Sequence, residues 1–316
     1  MGKKLLAVTK AAAVGTGVAA GAGFIFFTEV INRRAKLSQL LGPVLCKETA
    51  FDQNVPDERE LWSKEQKFEE FTITNVLGQK LRGYLLKADE PSDVYVFGAH
   101  GYRGSGKEEF RFMMKYYHEK GYNVFIVDHQ AAGESEGKYI GFGYHESRDC
   151  MLWLEHMKEL FGEDIQIILH GVSMGSATVM LMSGDEDLPE NVKFIVSDCG
   201  YTSAWNEMAH NFKTVHVPTF PVLNCANAFS KLIAGYDFRD ADPVNAVKKA
   251  TRPMIFIHGA NDDFVPTYMV NEVYGACASQ DKKLMIVEGA GHAESYRMDS
   301  EGYEALINEF AEKYIK

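Results

Sequence analysis

A serine flanked by two glycines, Gly171-Val172-Ser173-Met174-Gly175, follows the apolar run Ile167-Ile168-Leu169 and precedes a helix-compatible stretch at residues 177–182. A serine hydroxyl is a weak nucleophile until a base takes its proton and a third group orients that base. A sharp strand-to-helix turn would expose the Ser173 hydroxyl in a strained conformation, above the free N–H groups and positive dipole end of a helix. Glycine is needed on either side because a Cβ would clash in so tight a turn. The backbone N–H of Met174 then faces the oxygen of a bound carbonyl. This is the chemistry of acyl transfer, in which a carbonyl is attacked, an oxyanion forms and an acyl-serine follows.

The pentapeptide is short and the chain holds 28 glycines, so the partners decide. In this arrangement the acid and then the base follow the serine along the chain. Residues 254–258 form a buried-type strand that runs into Gly259-Ala260-Asn261-Asp262-Asp263-Phe264. Residues 283–288 form another short apolar strand, followed by Gly289-Ala290-Gly291-His292. Loops after parallel strands gather at one edge of a sheet, where such sites form. Ser173 is therefore assigned as nucleophile, His292 as general base and then acid, and Asp262 as the orienting acid, with Asp263 its rival. His258 also ends a strand but precedes the acid loop, and reads as a packing or hydrogen-bonding residue. His210 and His216 end no strand and receive no role.

The second half of an oxyanion hole is expected from an early strand–helix loop. The strand at residues 93–99 leads into His100-Gly101-Tyr102-Arg103-Gly104-Ser105-Gly106, and the N–H of Tyr102 is the candidate. Arg103 could bind an anionic part of a substrate, or be a solvated cation. Residues 101–107 also spell a phosphate-binding loop up to its last position. There Glu108 replaces the Ser or Thr that would hold magnesium, and its carboxylate would repel phosphate.

Taken together, these motifs resemble the α/β-hydrolase superfamily, and within it the exported or membrane-anchored serine hydrolases of Gram-positive bacteria of the prolyl-oligopeptidase-like and cinnamoyl-esterase-like kinds. The residues that carry the resemblance are His100-Gly101-Tyr102, Asp128 through Gly137, Gly171 through Gly175, Ser197-Asp198-Cys199-Gly200-Tyr201, His258 through Pro266, and Gly291-His292. It covers about residues 60 to 316. The resemblance implies an α/β-hydrolase fold, a serine triad and no cofactor, and says little about substrate. One stretch departs from it. Where such enzymes often carry Arg-Gly-His-Gly after the aspartate of the fourth strand, this chain reads His129-Gln130-Ala131-Ala132-Gly133.

The elements needed to position these residues are legible. Strands are expected at residues 71–76, 81–87, 94–99, 123–128, 165–170, 193–197, 254–258 and 284–288, the first two an antiparallel pair turning at Gly78. Helices at 144–160 and 301–315, with others between the strands, make a mostly parallel twisted sheet with helices on both faces. The interval between Cys199 and Arg252 is too long for one crossover. The resemblance implies a lid over the active site at this position, so residues 202–245 are expected to form a small helical lid, whose Trp205, Met208 and Phe212, with Arg103 and Phe264, line the substrate pocket. His145, Glu146 and Asp149 read as surface groups of a helix.

At 316 residues, 46% apolar and 24% charged, the chain suits one large globular domain at residues 60–316. Ahead of it, residues 1–47 hold seven Lys or Arg and one acid, a surplus of +6 within an overall charge of −11, so the remainder holds −17. An acidic body argues against nucleic-acid binding. Residues 11–28 carry no charge and are flanked by Lys3, Lys4 and Lys10 before and by Arg33, Arg34 and Lys36 after. An uncleaved signal anchor is expected, with membrane association through residues 11–31 and the catalytic domain outside the cell. The alternatives are a cleaved secretory signal or a helix packed on the domain. Five scattered cysteines, Cys46, Cys150, Cys199, Cys225 and Cys277, indicate neither a disulfide framework nor a metal site. The function expected is hydrolysis of a small-molecule carboxylic ester through an acyl-serine. The alternatives are a serine peptidase, an acyltransferase and a non-catalytic binding module.

Overall fold

The computed structural model describes the backbone of residues 2–35 and 57–316, with side chains from residue 17 onward in the first segment. Lys36 and Cys46, within the expected N-terminal segment, lie outside the described residues. Eight strands make one sheet. They are β1 (Glu69–Thr74), β2 (Lys80–Leu86), β3 (Val94–Ala99), β4 (Asn123–Asp128), β5 (Gln166–Val172), β6 (Val192–Asp198), β7 (Met254–Gly259) and β8 (Lys282–Val287), in the order β1-β2-β4-β3-β5-β6-β7-β8. β2 pairs antiparallel with β1 and β4, and all other pairs are parallel. β3, β4, β5 and β7 are buried at every position. Covered on both faces, they read as continuous apolar runs rather than as an alternation.

The helices that matter for the site are α1 (Gly2–Ile31), α2 (Gly106–Phe110), α3 (Tyr144–Phe161), α4 (Met174–Ser183), α5 (Ala204–Thr214), α6 (Thr219–Phe229), α7 (Tyr268–Ala276) and α8 (Ser300–Tyr314). Trp153, Leu154 and Met157 of α3 and Val179 and Met180 of α4 share one core with Leu169 and Phe256. Tyr303, Ile307 and Phe310 of α8 share another with Val196 and Ile255. Between β6 and β7, α5, α6 and a π-helical turn (Ser230–Ala234) occupy the interval read as a lid.

Two surface expectations are corrected. β1 ends before residue 76 because Asn75 Oδ1 accepts the N–H groups of Leu77 (3.1 Å) and Gln79 (3.0 Å), which closes a turn at Gly78 (φ 76°) and leaves Val76 and Leu77 exposed. Glu146 and Asp149 are buried, not surface groups. Glu146 accepts the N–H groups of Gly141 (2.7 Å) and Gly143 (2.8 Å), which closes the N-terminal end of α3. Asp149 accepts from Asn75 Nδ2 at 3.2 Å, and burial pushes its carboxyl up to about 7.

The N-terminal segment is not separate from the body. Phe27 and Ile31 of α1 are fully buried in a third apolar cluster with Met174, Tyr201, Phe212 and Leu223. Side chains of this size contribute roughly 1.5–3 kcal/mol each when buried. Gly23 lies so close to Val222, Cys225 and Ala226 that a Cβ there would collide with α6. The chain after α1 is tied down by Ile140 N–H to Ile31 O (2.9 Å) and Arg33 N–H to Lys138 O (3.0 Å). Among the described residues, no helix is long and apolar enough to cross a membrane. One side of α1, with Ala19, Phe27 and Ile31, is buried against the body, while Val18, Phe24 and Ile25 remain exposed.

Candidate active site

Ser173 stands between β5 and α4 at φ 56°, ψ −116°, a conformation that costs of order 1–3 kcal/mol and persists only where its surroundings enforce it. Its N–H is held by Asp198 O at 2.9 Å. A Cβ on Gly171 would overlap the Gly175 carbonyl, and one on Gly175 would overlap the carbonyl of Ala99. Both glycines are therefore needed, and the second because the turn presses against the end of β3.

His292, in the loop after β8, approaches Ser173 Oγ with Nε2 at 2.9 Å and Asp262 Oδ2 with Nδ1 at 2.8 Å. Asp262 Oδ1 accepts the N–H groups of Phe264 (3.0 Å) and Val265 (2.9 Å). His258 Nε2 lies 3.3 Å from Asp262 Oδ2 and donates to Val265 O at 2.8 Å. Asp263 is exposed, so the geometry pairs His292 with Asp262. Burial alone would raise the Asp262 carboxyl, but His292 and His258 outweigh it and hold it well below the usual carboxylate range. Burial likewise pulls the His292 imidazole down, while the Asp262 charge lifts it well above its ordinary value. With Asp262 ionised, Nδ1 carries the proton and Nε2 accepts from the Ser173 hydroxyl, the arrangement a general base requires.

Cys199 (φ 47°), just after β6, is a neighbour that the sequence reading left without a role. Its Sγ, an Asp262 oxygen and a His292 nitrogen lie within 4.8 Å of one another. Burial pushes the thiol up to about 12, so it is neutral near pH 7. Asp262 then supplies the charge that acts on His292. A soft metal could meet these three donors only by displacing that proton and breaking the His292 contacts.

The loop after β3 lies against the serine. A Cβ on Gly101 would sit 3.3 Å from Ser173 Cβ. Gly101 N–H donates to Glu109 Oε2 on α2 at 2.8 Å. His100, fully buried, fixes the loop from beneath, with Nδ1–H to Gly101 O (2.6 Å) and Nε2 accepting from His129 N–H (3.0 Å). Burial lowers its pKa and keeps the imidazole neutral, as the acceptor at Nε2 requires. The His-Gly pair at a strand end was the signal for this role. The N–H of Met174, first in α4, has no acceptor within its own helix, and that of Tyr102 belongs to the loop beside Ser173.

Met208 and Phe212 join Met174 in one apolar cluster, with Trp205 and Phe264 packed against it. The Phe264 ring centroid is 4.9 Å from that of His292, and Trp205 lies under Arg239. Arg103 is a correction. Its Nη2 donates to the carbonyls of Glu29 and Asn32 (2.9 Å each), and its Nε donates to Tyr102 Oη (2.8 Å). It closes the C-terminal end of α1, whose free carbonyls attract a cation. Phe26 and Phe27 of α1 join the same apolar cluster, which sequence reading missed, with Phe26 edge-on to Phe212 at 4.4 Å.

Residues 108–316 match the prolyl oligopeptidase family. The chain belongs to that family. It is 28% identical over 242 residues to the uncharacterized protein YqkD of Bacillus subtilis, a match covering 76% of this chain and 78% of that one. Among solved structures it is similar to the Pyrococcus furiosus esterase Pf2001 (TM-score 0.66, 22% identity, 85% of this chain and 99% of that one). It is also similar to the Pyrococcus horikoshii acylaminoacyl peptidase (TM-score 0.58, 19% identity, 83% of this chain and 44% of that one). The fold is the α/β-hydrolase fold, and this member of the prolyl oligopeptidase family is a serine hydrolase. The arrangement at Ser173 suits attack on a carboxylic ester or amide, without a metal or cofactor in the proton path.

Proposed function

We propose that this serine hydrolase cleaves carboxylic esters through an acyl-serine intermediate. The observation that carries the reading is the unbroken hydrogen-bond line from Ser173 Oγ through His292 to Asp262, at 2.9 and 2.8 Å. His292 takes the Ser173 proton as the hydroxyl attacks. The N–H groups of Met174 and Tyr102 hold the oxyanion, each such donor being worth roughly 3 kcal/mol. His292 then protonates the leaving alcohol and activates the water that releases the acid. The match to nearly the full length of an esterase, against less than half of a peptidase, favours esters. The family name favours a second reading, peptide hydrolysis by the same residues.

The test is mass spectrometry after fluorophosphonate treatment, followed by matched ester and anilide substrates. Labelling at Ser173 with ester turnover supports the proposal. Preference for anilides would favour the peptidase reading, and a folded, unlabelled protein would overturn both.

We further propose that the enzyme sits on a membrane surface. Seven of the fourteen exposed large apolar side chains among the described residues lie at residues 18–25 and 217–233, with Phe220 78% and Leu232 82% exposed. The uncharged residues ahead of the docked Ala19 cover about 12 Å of helix, against a hydrocarbon core of about 30 Å. This length suits seating at the interface, beside Lys3, Lys4 and Lys10, rather than spanning. Flotation of the full chain with anionic vesicles, weakened in Phe220→Ser/Leu232→Ser, checks this. Equal flotation of the double variant would remove these side chains from the contact.

A further inference from the structure

Glu207 lies on the buried face of α5 with Ala204, Met208 and Phe212 and is 3% exposed. Its Oε1 accepts from Asn211 Nδ2 at 2.8 Å. Its Oε2 is buried and has no hydrogen-bond partner among the described residues. A buried oxygen without a partner is costly and calls for an explanation, and a partner supplied by a bound substrate is one. The location fits. α5 crosses the acid loop, where His210 Nε2 donates to Asp263 O at 3.0 Å, and Met208 and Phe212 of the same helix pack in the cluster that contains Met174. Glu207 is also close enough to the reaction centre for the charges of His292 and Asp262 to act on it.

We propose that Glu207 and Asn211 form a polar subsite beneath the lid that binds a hydroxyl group on the substrate's acyl chain. The subsite rests on the ester-hydrolase reading above and adds a substrate class to it. Burial pushes the Glu207 carboxyl up to about 8, so near pH 7 it is largely neutral. With Oε1 accepting from Asn211, the proton lies on Oε2, and Oε2–H needs an acceptor. A hydroxyl oxygen provides one, whereas an apolar acyl chain leaves the group unmatched. Sites built to hydrogen-bond a substrate group discriminate strongly against analogues that lack it.

The test uses 4-nitrophenyl esters of equal chain length, plain or hydroxylated at successive carbons, with the full-length enzyme. The wild type is expected to favour one hydroxylated ester by at least about tenfold in kcat/KM. Glu207→Leu should bring that ratio close to one while raising Tm by about 2–4 °C, because an unpartnered carboxyl has been removed. Glu207→Met, close in volume, reads the same ratio if the leucine variant does not fold. A wild type without hydroxyl preference at any carbon, or a folded variant that keeps the ratio, overturns the subsite. Fluorophosphonate labelling of Ser173 in the same samples separates this failure from failure of the hydrolase reading.

Discussion

Arg103 Nη2 donates to the carbonyl oxygens of both Glu29 and Asn32, at 2.9 Å each, which fastens the loop beside Ser173 to the end of the N-terminal helix. The neighbouring Tyr102 hydroxyl also donates to Val30 O. The proposed oxyanion donor at Tyr102 is thus held from two sides, by His100 beneath and by α1 above.

Arg103→Ala is expected to lower kcat and slow fluorophosphonate labelling of Ser173 by roughly tenfold to a hundredfold, the range for a sub-ångström loss of positioning. Arg103→Lys should not restore activity, since a point charge cannot span two carbonyls and the Tyr102 hydroxyl. Removing residues 1–35 should have at least the same effect. Wild-type labelling rates in either variant would show that α1 does not position the loop.

Asp262→Asn should reduce kcat by about 10⁴-fold, because the amide no longer fixes the imidazole tautomer. Asp263→Asn should stay within a few-fold of wild type, since that side chain is exposed. Steady-state kinetics on one ester decides the matter, and the reverse order would exchange the two acids.

The His292 imidazole is raised above its ordinary value by Asp262, even though burial opposes this. A base must be unprotonated to act, so kcat/KM is expected to fall on the acid side, with a midpoint above about 6.5. Asp262→Asn should move that midpoint down. Cys199→Ala should leave it in place, because the thiol is neutral there.

Buried carboxyls elsewhere run the other way. Burial pushes Asp149 and Asp198 up to about 7 and Glu207 up to about 8. The folded state therefore holds protons that the unfolded chain has released above about pH 4, and stability should decline from about pH 4 to pH 8. Asp149→Asn should flatten part of that decline in Tm measured against pH, and an unchanged slope would contradict the assignment.

Beneath the sheet, Tyr117 O–H donates to His170 Nδ1 (2.8 Å), His170 Nε2–H to Tyr303 Oη (2.8 Å), and Tyr303 O–H to Asp198 Oδ2 (3.1 Å). Burial lowers His170 to about 3, so the ring is neutral and the chain of donors is self-consistent. Tyr303→Phe breaks it in the middle and should cost about 1–3 kcal/mol in denaturant unfolding, while leaving the Ser173 line intact. A stability change under about 0.5 kcal/mol would mean that the chain is not cooperative.

The site was legible where it depends on local grammar. A strand ending in Gly-x-Ser-x-Gly, aspartates after β7 and Gly-His after β8 each state their place at the sheet edge through neighbouring residues. What was not legible depends on distant partners. Arg103 looks the same in sequence whether it meets a substrate anion or the carbonyls of Glu29. Residues 11–31 are apolar enough for lipid or for the face of α6, and composition does not separate the two. Glu146 and Asp149 read as surface charges because acidic side chains in helices usually are, and Glu207 received no reading at all. For Glu207 a signal existed, since it adjoins the 204-208-212 stripe that faces the core.

The contact between Phe27 and Phe229 joins α1 to a helix about 190 residues further along the chain. At 5–20 residues per second, the ribosome delivers α6 about 10–40 seconds after α1. For that interval the part of α1 that packs on α6 is uncovered, and whatever first meets it on the nascent chain, lipid or chaperone, meets it before the enzyme is complete.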